Sequence, residues 1–264
     1  MTNEEFYGEE YRSMKAAERQ LLEEIARYGG YEEQKRCRKV IEYCRSRIKS
    51  PESMTEKLRK RGLPVTREAA LTKVHDAVGI RVICPFFDDI YRTAEWLKGR
   101  KDFEILEVKD YIAHPKESGY RSYHIILRLK DGPGQGVTAE VQIRTIALDF
   151  WASLEHRLKY KRSVDSGDLI CRELKRCADE IASLDLAMQT IKDMISEDIS
   201  GRNARRRSKY DAVALRPAEL RLAEPRGVEL RSAGAVRQRN NTSSFNRRDA
   251  RCFNPQAPSV SGTD

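Results

Sequence analysis

No Cys-x-x-Cys pair occurs in the chain, and its four histidines are scattered. Six cysteines, Cys37, Cys44, Cys84, Cys171, Cys177 and Cys252, stand apart from one another. A zinc site of Cys and His needs close ligand pairs, so the pattern argues against one. No apolar run reaches membrane-spanning length, and the N-terminus lacks a signal-peptide pattern. The expectation is a cytoplasmic protein with free thiols and no membrane partner. There is no internal repeat, no GxxxxGK(S/T) loop and no GxGxxG fingerprint. Any phosphate must therefore be gripped mainly by side chains. Most of the chain also lacks an excess charge. Residues 1–200 hold 36 Lys and Arg against 35 Asp and Glu, whereas residues 201–264 hold 14 against 6 and account for most of the net +9.

That last segment has 13 Arg, one Lys, few large apolar residues and no sustained periodicity. Such a composition cannot bury enough apolar surface to offset its ordering entropy, so disorder is expected beyond about Gly201. Two origins stay open: a GC-rich stretch read in a shifted frame, or an Arg-rich arm that touches RNA through its phosphates.

What the chain does have is the run HPKESGYRSYH (114–124) and, after the turn-rich DGPGQG, the run AEVQIRT (139–145). Both alternate. Val137, Ala139, Val141 and Ile143 are apolar or small, while Glu140, Gln142 and Arg144 fall between them. Tyr123, Ile125, Leu127 and Leu129 form a second apolar row, with Tyr120, Ser122 and His124 of opposite parity. Strand side chains alternate between faces. The expected product is an antiparallel pair with one face on the core and a polar face of Tyr, His, Glu and Arg. Such a cluster marks a site more often than a solvated surface.

Along the rest of the chain, residues 4–28 read as a helix stopped by Gly29-Gly30. Residues 31–48 are ambiguous between helix and strand. Ser50-Pro51 opens a helix with a Ser cap and Pro at its first position. It runs to about Gly62, with Ser53 and Lys57 sharing a face and Met54 and Leu58 pointing elsewhere. A short helix follows at 66–74, a buried strand at 77–84, a helix at 87–99, and a strand at 103–112 with Leu106 and Val108 inward. After the strand pair comes a helix at 146–160 with an apolar face of Phe150, Trp151, Leu154 and Leu158. In the final helix (166–198), Leu174, Cys177, Ile181, Leu184, Met188, Ile191 and Ile195 are spaced alternately 3 and 4 apart. That heptad seam packs either on its own domain or on another chain. Helices alternating with four or five strands define an α/β domain with a mixed sheet.

Five segments in order then carry a resemblance: RIKSPES with a later Lys (Arg47–Lys57), HDAVGIRV (75–82), VKDYIAHPKESGYRSYH (108–124), EVQIRT (140–145) and FWASLEHRLKYK (150–161). Over about residues 40–162 the chain resembles the RelA/SpoT-type (p)ppGpp synthetases, and as a whole it looks like a small alarmone synthetase. His75-Asp76 matches the synthetase motif and not the hydrolase. Long members carry hydrolase and regulatory domains for which 264 residues leave no room, so a synthetase-only protein is expected.

The resemblance implies a nucleotidyltransferase-like fold, α/β (α+β) with a mixed, mostly antiparallel five-stranded sheet. It divides the chain into an N-terminal helical region (1–35), the synthetase domain (36–162), an oligomerisation helix (163–200) and the basic tail (201–264). It implies transfer of the β,γ-pyrophosphate of ATP to the 3′-hydroxyl of GDP or GTP, with release of AMP, in a stress response. It also implies a homotetramer built partly through terminal helices.

By the same resemblance Asp76 and Glu140 hold Mg²⁺, and Glu140 is placed to act as base. Arg47 and Arg81 sandwich adenine, and Lys49, Ser53 and Lys57 bind the ATP phosphates. Tyr120 stacks on guanine, with Lys116, His124, Gln142 and, less firmly, Arg144 around the acceptor nucleotide. His156 and Lys161 lie in the last motif without an assigned role. EVKD (107–110) mixes the two family patterns RxKD and ExDD, so no metal preference is drawn from it. Parity on one regular strand would set Asp76 and Arg81 on opposite faces, so either Asp76 precedes the strand or Gly79 marks a bulge. Two rival readings remain: another nucleotidyltransferase that attaches a nucleoside monophosphate to RNA or a small acceptor, and an inactive relative that binds guanine nucleotides or RNA.

Overall fold

The computed structural model describes residues 1–160 and 167–200. The expected disorder and RNA contact of the tail, Cys252 and Lys161 lie outside these residues. The elements run α1 (Asn3–Tyr7), α2 (Glu10–Arg36), β1 (Tyr43–Ile48), α3 (Pro51–Lys60), α4 (Arg67–Thr72), β2 (Val78–Cys84), α5 (Phe87–Lys98), β3 (Phe103–Asp110), β4 (Tyr123–Leu129), β5 (Thr138–Thr145), α6 (Ile146–Tyr160) and α7 (Gly167–Ser200). The sheet order is β1-β2-β5-β4-β3. Only β2 and β5 pair in parallel; the other three pairs are antiparallel.

One face of this sheet makes the core. Val78, Ile80, Val82, Ala139, Val141, Ile143, Ile125 and Leu127 are all buried. They pack with Met14, Ala17, Leu21 and Ile25 of α2 and with Ile90, Ala94 and Leu97 of α5. Each large aliphatic side chain so buried contributes about 1.5–3 kcal/mol. The other face is left for polar work.

The N-terminal region differs from the expected single helix. A capping box of Thr2 and Glu5 starts α1, and Gly8, at φ +65°, ends it. A side chain at Gly8 would collide with the Arg67 guanidinium at 2.5 Å. Next, α2 runs straight through Gly29-Gly30 and stops at Cys37, a left-handed cap with φ +54°. Each glycine costs a helix about 1 kcal/mol relative to alanine. Contacts on both sides of the pair outweigh that: Tyr28 stacks on Trp96 with ring centres 4.2 Å apart, and the buried Glu32 pairs with Arg36 at 2.6 Å. The ambiguous 31–48 segment therefore divides into a helix end and strand β1.

Ser50 caps α3 as expected, accepting from the backbone N–H of Ser53, and Met54 and Leu58 are fully buried. In β3 the register shifts between Ile105 and Glu107. Ile105, not Leu106, takes the position opposite Leu127 and packs on the core. Val108 pairs with Ile125 but lies at the sheet's edge, 40% exposed.

The expected apolar face of α6 is also only partly used. Trp151 is buried, whereas Phe150, Leu154 and Leu158 are exposed. On α7 the seam divides. Leu174, Cys177 and Ile181 pack around Trp151, while Leu184, Met188, Ile191 and Ile195 are exposed. The helix rests on its own domain through a different stripe of small and polar residues: Ala178, Ala182, Asp185 and Gln189. The five cysteines among the described residues are free, and no described helix is long and apolar enough to cross a membrane.

Candidate active site

Sheet register assembles the sequence motifs. Arg47 stands opposite Gly79, and Gly79 opposite Glu140. Two residues further along β2, Arg45, Arg81, Gln142, His124 and Lys109 form one row across all five strands. Directly paired residues share a face. Gly79 contributes no side chain, and a Cβ there would meet only Arg47, at 3.8 Å. The space it leaves belongs to a cavity of about 230 Å³ lined by Arg47, Asp76, Gly79, Arg81, Glu140 and Gln142. Asp76 reaches this cavity because it lies in the turn before β2. That resolves the parity conflict without a bulge at Gly79.

On the β1–α3 side, cations converge on one carboxylate. Lys49 Nζ donates to Asp76 Oδ2 at 2.6 Å, and Lys57 Nζ donates to the same oxygen. Tyr7 secures this end of β1 by donating to the Lys49 carbonyl at 2.8 Å. Burial raises the Asp76 pKa, but the two ammonium groups outweigh it and hold the carboxyl below its usual range. Burial pushes Lys49 below the usual lysine range, helped by Lys57 and Arg47 and opposed by Asp76. Asp76 Oδ1 is buried with no hydrogen-bond partner. A buried acceptor left so costs about 1–3 kcal/mol, the mark of a group that awaits a ligand. Ser53 is exposed at the start of α3, where its hydroxyl accepts from Ser50 Oγ at 3.2 Å.

The β4–β5 side is a closed network. Arg144 is buried, and its guanidinium donates to Ser122 Oγ (3.3 Å), Asp149 Oδ1 (3.1 Å), Gln142 Oε1 (2.9 Å) and the Tyr120 hydroxyl (2.6 Å). The Tyr120 hydroxyl lies 2.9 Å from His124 Nε2, and His124 Nδ1 lies 3.0 Å from Glu140 Oε1. With neutral His124 protonated on Nδ1, the donors run one way: Arg144 to Tyr120, Tyr120 to His124, His124 to the carboxylate. Gln142 Nε2 donates to the second Glu140 oxygen at 2.8 Å. Burial raises the Glu140 pKa, but His124, then Gln142 and Lys57, outweigh it and bring it down to about 2. Lys116 is exposed, its Nζ 5.1 Å from the Tyr120 ring centre and 4.5 Å from that of Tyr111.

Three residues of this site were not expected from the sequence. Asp149, on α6, is buried, pairs with Arg144 and lies 3.3 Å from Arg81. Tyr43 donates to its other oxygen at 3.4 Å. Asp149 thus joins the two halves of the site. Its signal in the sequence was a carboxylate in the first turn of a helix that follows the strand bearing Arg144. Tyr111 packs edge-on to both His124 and Tyr120.

Among the described residues, no group of three or more His, Cys, Asp and Glu is placed to hold a metal by itself. Two carboxylates on one cavity, one with an orphan oxygen, fit a cation that takes few protein ligands and fills its shell with phosphate oxygens and water. A carboxylate pair beside converging cations, on one face of this mixed sheet, defines a nucleotidyltransferase-like enzyme core.

The comparisons narrow that class. Residues 46–165 match the region found in RelA / SpoT proteins. The GTP pyrophosphokinase YwaC of Bacillus subtilis is 44% identical over 155 residues, spanning 58% of this chain and 74% of the relative. YjbM, also a GTP pyrophosphokinase of Bacillus subtilis, is 38% identical over 160 residues, 60% and 74%. The solved structure of small alarmone synthetase 1 from Bacillus subtilis, bound to its product pppGpp, superposes with a TM-score of 0.61 at 35% identity, covering 68% of this chain and 92% of that one. The chain belongs to the RelA/SpoT-type (p)ppGpp synthetases and resembles their small alarmone synthetases.

Proposed function

We propose that this protein transfers the β,γ-pyrophosphoryl group of ATP to the ribose 3′-hydroxyl of GDP or GTP, making (p)ppGpp and releasing AMP. The new bond joins the 3′-oxygen to the β-phosphorus; the broken bond is that between the α–β bridging oxygen and the same phosphorus. The hydroxyl proton leaves to a base. Positioning and charge neutralisation dominate such chemistry. The observation that carries the reading is the pairing of Asp76 and Glu140 on one cavity, with Lys49 and Lys57 drawn onto Asp76.

On this reading Arg47 and Arg81 flank the adenine, whose flat ring suits a guanidinium plane. Lys49 and Lys57 turn from Asp76 to the ATP phosphates, and Ser53 joins them from the first turn of α3. Tyr120 offers its ring to guanine while Lys116 moves from that ring to the guanosine phosphates. His124, Gln142 and Arg144 hold Tyr120 and Glu140 in place around the acceptor. Asp76 and Glu140 are the residues that would hold Mg²⁺, which when bound neutralises phosphate charge. Glu140, with a pKa near 2, remains ionised across the working range. That suits a cation ligand and makes it a weak base when alone, since an efficient base has a pKa near the operating pH.

We also place the protein in the cytoplasm as a homotetramer. The exposed rows Phe150, Leu154, Leu158 on α6 and Leu184, Met188, Ile191, Ile195 on α7 support the assembly. A monomeric mass in solution would end that part. The activity is tested by incubating the full chain with labelled ATP, Mg²⁺ and GDP or GTP. AMP together with a 3′-pyrophosphorylated guanosine nucleotide supports the proposal. Release of pyrophosphate would favour a transferase of nucleoside monophosphates. No turnover, with guanine nucleotide still bound, would favour an idle binding relative.

A further inference from the structure

The loop that bears Lys116 and Tyr120 rests on the C-terminal helix. Gly119, at φ +83°, lies so close to α7 that a Cβ would sit 2.6 Å from the Ala178 side chain and 3.5 Å from the Lys175 backbone. Next to Tyr120 on its other side, Arg121 is only 4% exposed, although it is a charged residue. It reaches back to the Gly119 carbonyl (3.0 Å) and out to the Ala178 carbonyl (3.5 Å) and Asp179 Oδ1 (3.0 Å). Both chain neighbours of Tyr120 are thus fastened to one turn of α7. Tyr120 packs against the cluster of Trp151, Ala152 and Ala178, and Trp151 Nε1 donates to the Leu174 carbonyl at 2.9 Å. Within the loop, Gly119 N–H donates to the Lys116 carbonyl, and Lys116 N–H to that of Tyr120. The backbones of Lys116 and Tyr120 are thereby tied to each other.

We infer that Arg121 and Asp179 form a latch by which α7 positions the acceptor loop, so that the C-terminal helix sets affinity for the guanine nucleotide and leaves ATP binding alone. Neither residue needs to touch substrate; both act through Tyr120 and Lys116. This rests on the reading of Tyr120 and Lys116 as acceptor-binding groups. The physical reason is the cost of a misplaced platform: a stacking ring contributes only while it is held where the base arrives, and a displacement of about 1 Å at a positioned group can cost on the order of a hundredfold in rate. The Lys49–Asp76–Lys57 cluster is built on β1, α3 and the turn before β2. A latch at the far end of the sheet order has no such hold on it.

The test uses the full chain with Asp179→Ala and Asp179→Glu. Asp179 is about half exposed, and in the alanine variant Arg121 keeps the Gly119 and Ala178 carbonyls as partners; melting curves of both variants check that the fold is retained. GDP and ATP binding are measured separately by calorimetry, and KM and kcat for each nucleotide by turnover. Asp179→Ala should weaken GDP binding and raise its KM by about tenfold while the ATP constants stay within about twofold, and Asp179→Glu should restore most of the loss. Backbone amides of residues 116–122 should exchange faster in the alanine variant. Equal changes for both nucleotides, or none for GDP, would overturn the latch. If the unaltered chain binds no GDP or GTP, the proposed function fails, and the latch with it. If that chain makes the product and Asp179→Ala behaves the same, only the latch fails.

Discussion

The two halves of the site differ in how complete they are. On the β1–α3 side two ammonium groups crowd one oxygen of Asp76 while the other oxygen has no partner. On the β4–β5 side Arg144, Tyr120, His124, Gln142 and Glu140 satisfy one another in an unbroken chain. One half is electrostatically unfinished, as the proposed phosphate and cation sites would be. The other has its side chains already paired with one another. A mutation in the first should mainly lose binding and rate; one in the second should also lose stability, because it breaks a buried network.

The largest break is expected on the carboxylates. Asp76→Ala or Glu140→Ala should lower kcat by about a thousandfold or more, with an unchanged circular dichroism spectrum. Near-normal turnover in either variant would remove it from the active centre. Asp149 comes next because it spans both halves. Asp149→Ala leaves the buried Arg144 short of its charge partner, and breaking one side of such a pair costs about 3–5 kcal/mol. The urea midpoint should drop accordingly, and Asp149→Asn should recover part of it. An unaltered midpoint would show that the two halves are not joined there.

Smaller again is Tyr120→Ala. Base–aromatic stacking contributes about 1–3 kcal/mol, so KM for GDP or GTP should rise by one to two orders of magnitude while that for ATP holds. If both rise together, the ring is a structural part of the network.

A pH-dependent effect of similar size sharpens the comparison from beneath the β4–β5 half. Asp185 of α7 is buried against Thr145, the strand-end neighbour of Arg144, whose hydroxyl donates to it. Burial lifts its pKa from 3.8 to about 6, against the pull of that hydrogen bond. Below about pH 4 the carboxyl is protonated in both folded and unfolded chains. Between the two values the unfolded chain has lost the proton and the folded one keeps it, so stability falls as pH rises; above about 6 the full cost applies. Asp185→Asn should therefore stabilise the protein by up to about 3 kcal/mol near pH 8 and change little near pH 4. Melting curves at the two pH values decide it, and an equal shift at both would dismiss the titration.

Much of this was legible in the chain. The period-two rows of 123–129 and 138–145 gave strands and faces together, because a half-buried strand must alternate. Ser50-Pro51 placed a helix start to the residue. Gly29-Gly30 misled, since the local preference for a break was overruled by Tyr28 and Glu32 packing on either side. The α7 seam told only part of that helix's packing: the helix sits on its domain through alanine and polar residues, which leave no hydrophobic period to read, and keeps Leu184, Met188, Ile191 and Ile195 exposed.

By itself, then, the sequence determined the chemistry: which residue types recur in which order, and that alternation turns Glu140, Gln142 and Arg144 to one side. Only the tertiary structure decided the partnerships. Parallel pairing of β2 with β5 brings Gly79 beside Glu140, the turn before β2 delivers Asp76 to the same cavity, and α6 inserts Asp149 between two arginines from neighbouring strands. Apart from Arg144–Asp149, five positions apart, those contacts join residues dozens of positions apart, and no local propensity encodes them. They exist because burying one face of the sheet fixes the strand order, and the strand order fixes who stands beside whom on the other.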